Sequence, residues 1–268
     1  MMDAKTDFPS QIESDTIMNP HDEELAKQYP HLYTPTKGYV FVVTYGRSGS
    51  TLTQNLLNSI PSYCIRGENG NLTYFLCRAI HLLKTQPMYT SRRLEVKLPP
   101  EQRSNYLRGI LGQKFDPWYG AELADPVSFG RSLFDSFAAE ILRIEPGTRV
   151  AGFKEIRFHE DPKFFPYFLE IMQDVFPNAK FVFQTRRYED VMNSSWWKGT
   201  PVEKVRDIIT AADSLFLEFA KDKDNCHLIP YECYKSAPQE VITNLFNFLG
   251  EEYDMEEMMK VLQTKLTH

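Results

Sequence analysis

The segment Thr44-Tyr-Gly-Arg-Ser-Gly-Ser-Thr51 gathers two glycines, a run of hydroxyls and one arginine into a single short stretch. Glycine lets a backbone turn its amides toward a ligand. A helix that begins directly after such a loop adds unpaired N–H groups and the positive end of its dipole. The chemistry on offer is the cradling of an anion of the phosphate or phosphosulfate type. An ordinary helix start capped by Ser50 or Thr51 fits the same residues. An ATP- or GTP-type loop, G-x-x-x-x-G-K-[ST], does not, because it needs a Lys directly after its second glycine. Here Gly46 lies three residues before Gly49, Ser50 follows, and the loop's cation is Arg47.

A loop of this kind must be held between a strand and a helix, and the flanking residues read that way. Tyr39-Val-Phe-Val-Val-Thr44 is a short apolar, β-branched run, the pattern of a buried parallel strand. Leu52, Leu56 and Leu57 follow at helical spacing. The alternation then recurs. Arg149–Lys154 reads as a strand end with a helix over Pro162–Phe176, and Lys180–Thr185 as a strong strand with a helix over Tyr188–Trp196. Cys226–Tyr231 reads as a further strand and Gln239–Leu249 as a helix stopped by Gly250. Between them an amphipathic helix fits Val202–Phe219. Strands alternating with helices imply a parallel sheet with right-handed crossovers, an α/β fold of three layers. Residues 1–36, polar and dotted with prolines, read as a flexible or surface-draped arm ahead of a single domain over 37–268. Prolines also punctuate 86–145, predicted as a mostly helical insertion that covers one edge of the site.

Composition narrows the partners. With a net charge of −6, nothing global favours nucleic acid or an anionic membrane, so any anion site has to be built locally. No run approaches the ~20 apolar residues of a membrane span. The polar, acidic start lacks the apolar core of a signal peptide, which points to the cytoplasm. Cys64, Cys77, Cys226 and Cys233 show no metal-ligand spacing and read as reduced and mostly buried, with a Cys226–Cys233 disulfide as the alternative.

Tyr45-Gly-Arg-Ser-Gly-Ser-Thr51 resembles the 5′-phosphosulfate loop of sulfotransferases that use 3′-phosphoadenosine 5′-phosphosulfate (PAPS), in the R-S-G-S-[ST] form of carbohydrate and bacterial members. The resemblance runs over roughly residues 38–250 and implies the P-loop fold with Gly46, Arg47, Ser48, Gly49, Ser50 and Thr51 around the phosphosulfate. In the family an Arg after a later strand, with a Ser eight residues on, holds the 3′-phosphate. Arg186 and Ser194 have that spacing here, and Asp190-Val191 falls on the family's D-V. Tyr188 replaces the usual Pro, which leaves Arg186 and Arg187 both open for the role; a surface salt bridge with Glu189 or Asp190 is the plainer fate of Arg186.

The resemblance also supplies candidates for chemistry. Arg66-Gly-Glu-Asn-Gly70 is similar to a G-E element whose Glu is the general base, which implies that role for Glu68; a solvated loop carboxylate is the alternative. Gly152-Phe-Lys-Glu-Ile-Arg157 is similar to the K-D/E element after the third strand, which implies that Lys154, with Arg47, stabilises the bridging oxygen. Glu155 and Arg157 would then orient Lys154 or bind the acceptor. His159 stands as an alternative base or a solvent-facing residue, and Trp196 and Trp197 as stacking or core residues. The implied reaction is a single in-line displacement, with no metal required. The loop form and a Glu base lean toward a sugar hydroxyl on a glycan or glycolipid. A small-molecule P-loop kinase would need a loop Lys and an Asp for Mg²⁺, and neither is found. A non-catalytic nucleotide-binding protein would keep its function without Glu68 or Lys154.

Overall fold

The computed structural model describes residues 20–194 and 197–263. The first nineteen residues of the expected arm, Trp196 and the final residues from 264 lie outside the described residues. Five parallel strands form one sheet: β1 (Gly38–Val43), β2 (Tyr63–Arg66), β3 (Val150–Glu155), β4 (Lys180–Thr185) and β5 (Cys226–Pro230), in the order β2-β3-β1-β4-β5. All six residues of β1 are buried, and the one polar side-chain group among them, the Tyr39 hydroxyl, is hydrogen-bonded. Its alternation divides two chemistries. Tyr39, Phe41 and Val43 join Phe153, Phe181 and Phe183 in an aromatic core on one face, while Val40 and Val42 join Val150 and Val182 in a branched aliphatic core on the other.

Each face is covered by helices whose stripes match it. In chain order these are α1 (Pro20–Gln28), α2 (Ser50–Asn58), α3 (Leu72–Thr85), α4 (Pro87–Glu95), α5 (Pro126–Phe137), α6 (Phe165–Val175), α7 (Tyr188–Met192), α8 (Val202–Ala220), α9 (Cys233–Ser236), α10 (Pro238–Leu249) and α11 (Met255–Gln263). The aromatic face takes α3, α5, α6 and α8, whose Phe216 ring lies 5.5 Å from Phe183. The aliphatic face takes α2, α10 and α11. This is the three-layer α/β arrangement expected from the alternation. Helix α6 starts at Phe165, later than the apolar pattern suggests, because Asp161 Oδ1 accepts the Phe164 N–H (3.2 Å) and holds the preceding turn. Among the described residues no helix is long and apolar enough to cross a membrane. All four cysteines are free, and of these Cys77 is the fully buried one.

Two expectations need correction. From residue 20 onward the arm is not draped over the surface. Leu25, Tyr29 and Leu32 enter the aromatic core, Tyr39 donates its hydroxyl hydrogen to the Leu32 carbonyl (2.9 Å), and Asp135 of α5 accepts the N–H groups of His31 and Leu32 at 2.8 Å each. Leu25 lies in α1 and Tyr29 and Leu32 in the turns that follow it, and their i, i+4, i+7 spacing is a signal that the polar average of the segment hid. The insertion is helical at its ends, α4 and α5, with turns and two short three-ten segments between them, and it is pinned by a buried Arg92–Asp116 ion pair at 2.9 Å. It packs on α3 and α6 and lines neither of the cavities at the strand ends.

Leu32 has no solvent exposure. Leu32→Ala is therefore expected to lower unfolding free energy by about 2–5 kcal/mol in denaturant titrations, the cost of a large-to-small change in a core. A loss under about 0.5 kcal/mol, the surface value, would return the segment to the periphery.

Candidate active site

Each strand delivers at least one residue, at or just beyond its carboxyl end, to a single cavity of about 460 Å³. Gly46, Arg47, Gly49, Ser50 and Thr51 come from the loop after β1, Glu68 follows β2, Lys154, Ile156 and Arg157 come from the end of β3, Arg186 follows β4 and Tyr231 follows β5. Four cations thus face one carboxylate, so a chain of net charge −6 carries a locally positive pocket.

The glycine loop is strained into shape and braced from below. Arg47 and Gly49 both have positive φ, 70° and 84°. Gly49 occupies the helix cap position with no side chain capping α2, so the capped-by-Ser50 alternative is not what forms. The first amides of the helix are left facing the cavity side. A Cβ on Gly49 would lie 2.2 Å from a ring carbon of Tyr231, so only glycine lets the loop pass under that ring. Beneath, Gln184 donates to the Ser48 carbonyl (2.8 Å) and its side-chain oxygen takes the Thr53 hydroxyl; Thr44 Oγ1 sits 2.7 Å from Ser48 Oγ and 2.8 Å from the Gln184 carbonyl. The Ser48 side chain is fully buried in this network and does not line the cavity, a correction to its grouping with the other loop residues.

The two anion loops interlock. Arg186 Nη1 donates to the Arg47 carbonyl (3.0 Å), and its guanidinium stacks 4.4 Å over the Tyr231 ring. Its Nε is buried without a hydrogen-bond partner among the described residues. Arg187 turns to the surface instead, where it pairs with Asp190 (3.1 Å) and Glu232 (3.6 Å). Of the two arginines, Arg186 lines the cavity and the surface salt bridge falls to Arg187. Ser194 does not line the cavity; it reaches the loop by accepting from Arg47 Nε at 2.6 Å. Helix α7 ends at Met192, so Ser194 gets there on the following turn, not on a helical face. Tyr45 ties the two loops from inside: its hydroxyl accepts the Arg186 N–H (2.6 Å) and lies 3.0 Å from Asp213 Oδ1. Burial drives the Tyr45 phenol upward and lifts the Asp213 carboxyl to about 6 against the opposing pull of the Tyr45 hydrogen bond.

At the other wall Lys154 Nζ donates to Glu68 Oε1 at 2.5 Å. Lys154 is nearly enclosed and Glu68 is 41% exposed, so the pair sits at the cavity lip with the carboxylate toward the opening. Glu155, without exposure, faces away from Lys154; its carboxylate accepts the N–H groups of Asn69 (3.1 Å), Asn71 (2.8 Å) and Ile156 (2.8 Å). It positions the loop that carries Glu68, where the sequence suggested that it orients Lys154 or touches an acceptor. His159 is not solvent-facing. It packs edge-on to Tyr45 and burial lowers its imidazole to about 4, so it is neutral in ordinary buffer.

Comparison with known proteins decides the family. The family model for the sulfotransferase family matches residues 39–255, which includes every element of the cavity. The chain belongs to the sulfotransferase family. Among solved structures it is similar to the sulfotransferase domain of the Synechococcus PCC 7002 olefin synthase, at 19% identity over 86% of this chain and 79% of that one, with a TM-score of 0.51. It is also similar to a sulfotransferase from Alicyclobacillus acidocaldarius (13% identity, 84% and 89% coverage, TM-score 0.42). A third is retinol dehydratase in complex with androsterone and the inactive cofactor PAP (16%, 92% and 77%, TM-score 0.43). Likeness at this level shows the fold; the family model carries the assignment. No curated protein matches the sequence. As a sulfotransferase, the protein uses PAPS as its sulfuryl donor.

A second chamber of about 430 Å³ opens beside the sulfotransferase's anion cavity and shares Gly46, Ile156 and Arg157 with it. Its remaining walls are His159, Glu160, Pro162, Trp197 and one face of α8. Trp197 donates its indole N–H to the Gly46 carbonyl (3.2 Å) while packing against the aromatic core, so it serves both as core and as wall. Gln184, Tyr231 and the Tyr45–Asp213 pair carry the site's geometry yet had no role in the sequence reading. For Tyr231 a signal existed, since it ends a predicted parallel strand as the other site residues do.

Asp213 generates a pH prediction. A carboxyl whose folded pKa stands above its unfolded value contributes stability in full at low pH and loses it as pH rises through about 6. Thermal midpoints of the sulfotransferase relative to Asp213→Asn are expected to fall between about pH 4 and pH 6 and to level off above. A parallel pair of curves would remove Asp213 as a buried titrating group.

Proposed function

We propose that the glycine loop holds the 5′-phosphosulfate of PAPS and that Arg186, with Ser194, holds its 3′-phosphate. The loop contributes backbone amides from Gly46 to Thr51, the hydroxyls of Ser50 and Thr51, and the Arg47 guanidinium. The buried, unpartnered Nε of Arg186 supports the second part, since a desolvated donor of a guanidinium calls for an acceptor. Ser194 already accepts from Arg47, so a phosphate entering between them would exchange one charge-assisted bond for others.

The observation that carries the catalytic reading is the Glu68–Lys154 pair at the lip of this cradle. Glu68 takes the proton of the acceptor hydroxyl, and the acceptor oxygen forms its bond to sulfur. The bond from sulfur to the bridging phosphate oxygen breaks in line, and Lys154 and Arg47 stabilise the charge that collects on the departing oxygen. The products are a sulfate ester, 3′-phosphoadenosine 5′-phosphate and a proton on Glu68 that passes to solvent through its exposed side. The acceptor need supply only one hydroxyl at this point. The loop's likeness to carbohydrate members supports a sugar, whereas the walls of the adjoining chamber are apolar.

Two measurements test this. Saturating 3′-phosphoadenosine 5′-phosphate at about 100 times its dissociation constant should stabilise the protein by roughly 2.7 kcal/mol in thermal unfolding, and ATP–Mg²⁺ should not. A larger response to ATP–Mg²⁺ would overturn the nucleotide assignment in favour of a kinase. Glu68→Gln should lower kcat for sulfuryl transfer by about 10²–10⁴-fold with bisphosphate affinity retained, the range of a lost general base. Unchanged turnover would remove Glu68 from the mechanism.

A further inference from the structure

The chamber beside the anion cavity is where an acceptor must lie if its hydroxyl is to reach Glu68, because the two spaces share Gly46, Ile156 and Arg157. Its chemistry is one-sided. Ile208, Ala211, Ala212 and Leu215 recur on α8 at helical spacing and form one wall; Ile156, Pro162 and Trp197 form most of the rest, and His159 adds one imidazole. The apolar stripe of α8 is wider than the core requires. Val205, Ile209, Ala212, Phe216 and Phe219 are buried, whereas Ile208 and Leu215 are only partly covered and Ala211 is exposed. The charged residues of the chamber, Arg157 and Glu160, are 50% and 58% exposed and stand at its mouth, 4.0 Å from each other. The one indole N–H is committed to the Gly46 carbonyl. A sugar placed here would find one imidazole and the charged pair Arg157–Glu160, and would leave its remaining hydroxyls against hydrocarbon, losing their bonds to water without replacement.

Resting on the sulfotransferase reading of the anion cavity, we infer that the acceptor is an alcohol carried on an apolar body, an alkyl or lipid-like alcohol, seated against the Ile208–Ala211–Leu215 face of α8. The apolar body fills the chamber and the hydroxyl points past Ile156 to Glu68. The small Ala211 sets the depth available on that wall.

The test is calorimetric titration of the full chain saturated with 3′-phosphoadenosine 5′-phosphate, using 1-butanol, 1-hexanol and 1-octanol against methyl β-glucoside. Affinity is expected to rise about fourfold for each methylene buried. Ala211→Phe should cut 1-octanol affinity at least tenfold while leaving the bisphosphate-induced shift in Tm unchanged, and Ile208→Asn should do the same by chemistry instead of bulk. Affinities that do not depend on chain length, tighter binding of the glucoside than of 1-octanol, or 1-octanol binding indifferent to both variants would each overturn the inference. These outcomes are separable from failure of the nucleotide reading, which shows as no response to the bisphosphate before any alcohol is added.

Discussion

The site depends on a carboxylate that takes no part in its chemistry. Glu155 is fully buried at the tip of β3 and accepts three backbone N–H groups, two of them from the loop after β2. A carboxyl group in such a place is tolerated because the N–H donors that replace water are fixed in position. The consequence is geometric. Because β2 and β3 are parallel neighbours, a clamp between their ends sets Glu68 opposite Lys154, the residue directly before the clamp. Left to itself, a loop of Gly67, Gly70 and Asn residues would wander, and a base that wanders loses most of its value. The conformational order that the base role proposed for Glu68 needs is thus imposed from the sheet.

A similar economy governs the anion loops. Tyr45, the residue that begins the glycine loop, holds the backbone of Arg186; Arg186 holds the backbone of Arg47; Arg47 holds the side chain of Ser194. The two ends of a bisphosphorylated nucleotide would be read by loops that already determine each other's position. Gln184, fully buried one residue before the end of β4, extends the brace to Ser48 and Thr53. Of the four cations in this cavity, Arg47 and Arg186 are gathered by backbones locked in this way, while Lys154 and Arg157 are paired with Glu68 (2.5 Å) and Glu160 (4.0 Å); Arg187, which finds two carboxylates, is drawn out of the site. In a pocket of low dielectric such pre-set charges act strongly on a polyanion and need no rearrangement when it arrives.

What could be read from the chain alone follows the range of the forces involved. Strands β1, β3 and β4 were legible to within a residue or so because near-continuous burial writes itself into their positions, and β5, buried only at Ile229, was legible from its short apolar run between two helical patterns. That the glycine loop and Arg186 meet at one cavity was legible because both follow predicted parallel strands at their carboxyl ends. The fate of Ser48 was not, since a serine that lines a cavity and one that braces it from below differ only in which way a loop with positive φ at Arg47 and Gly49 rolls. Nor was which of Arg186 and Arg187 lines the cavity, since the Glu232 that holds Arg187 lies far along the sequence. The packing of Leu25, Tyr29 and Leu32 was hidden because three apolar residues in a polar stretch count for little on average and for much when they enter one core. Glu155 was assigned to the neighbouring lysine because sequence adjacency says nothing about strand alternation at a loop junction: Lys154 and Glu155 point to opposite sides.

That alternation also bears on how one helix can serve two masters. Helix α8 must bury an aromatic seam against Phe165, Phe181 and Phe183 and must also wall the chamber next to the reaction centre. A helix that only covered a sheet would return to polar residues just outside the seam, where water begins. Here Ile208, Ala211 and Leu215 continue the apolar surface around the helix to the chamber, and Ala212 belongs to both. Exposed hydrocarbon of this kind costs solubility and gains nothing for the core, so its retention beside a positively charged cavity calls for an occupant that covers it. The rigid seam fixes the helix, the helix fixes the wall, and the wall stands at a set distance from the glycine loop because Trp197 bridges the two through the Gly46 carbonyl. On the proposed reading, selection among acceptors changes with the outer edge of α8 alone, and the glycine loop is left as it is.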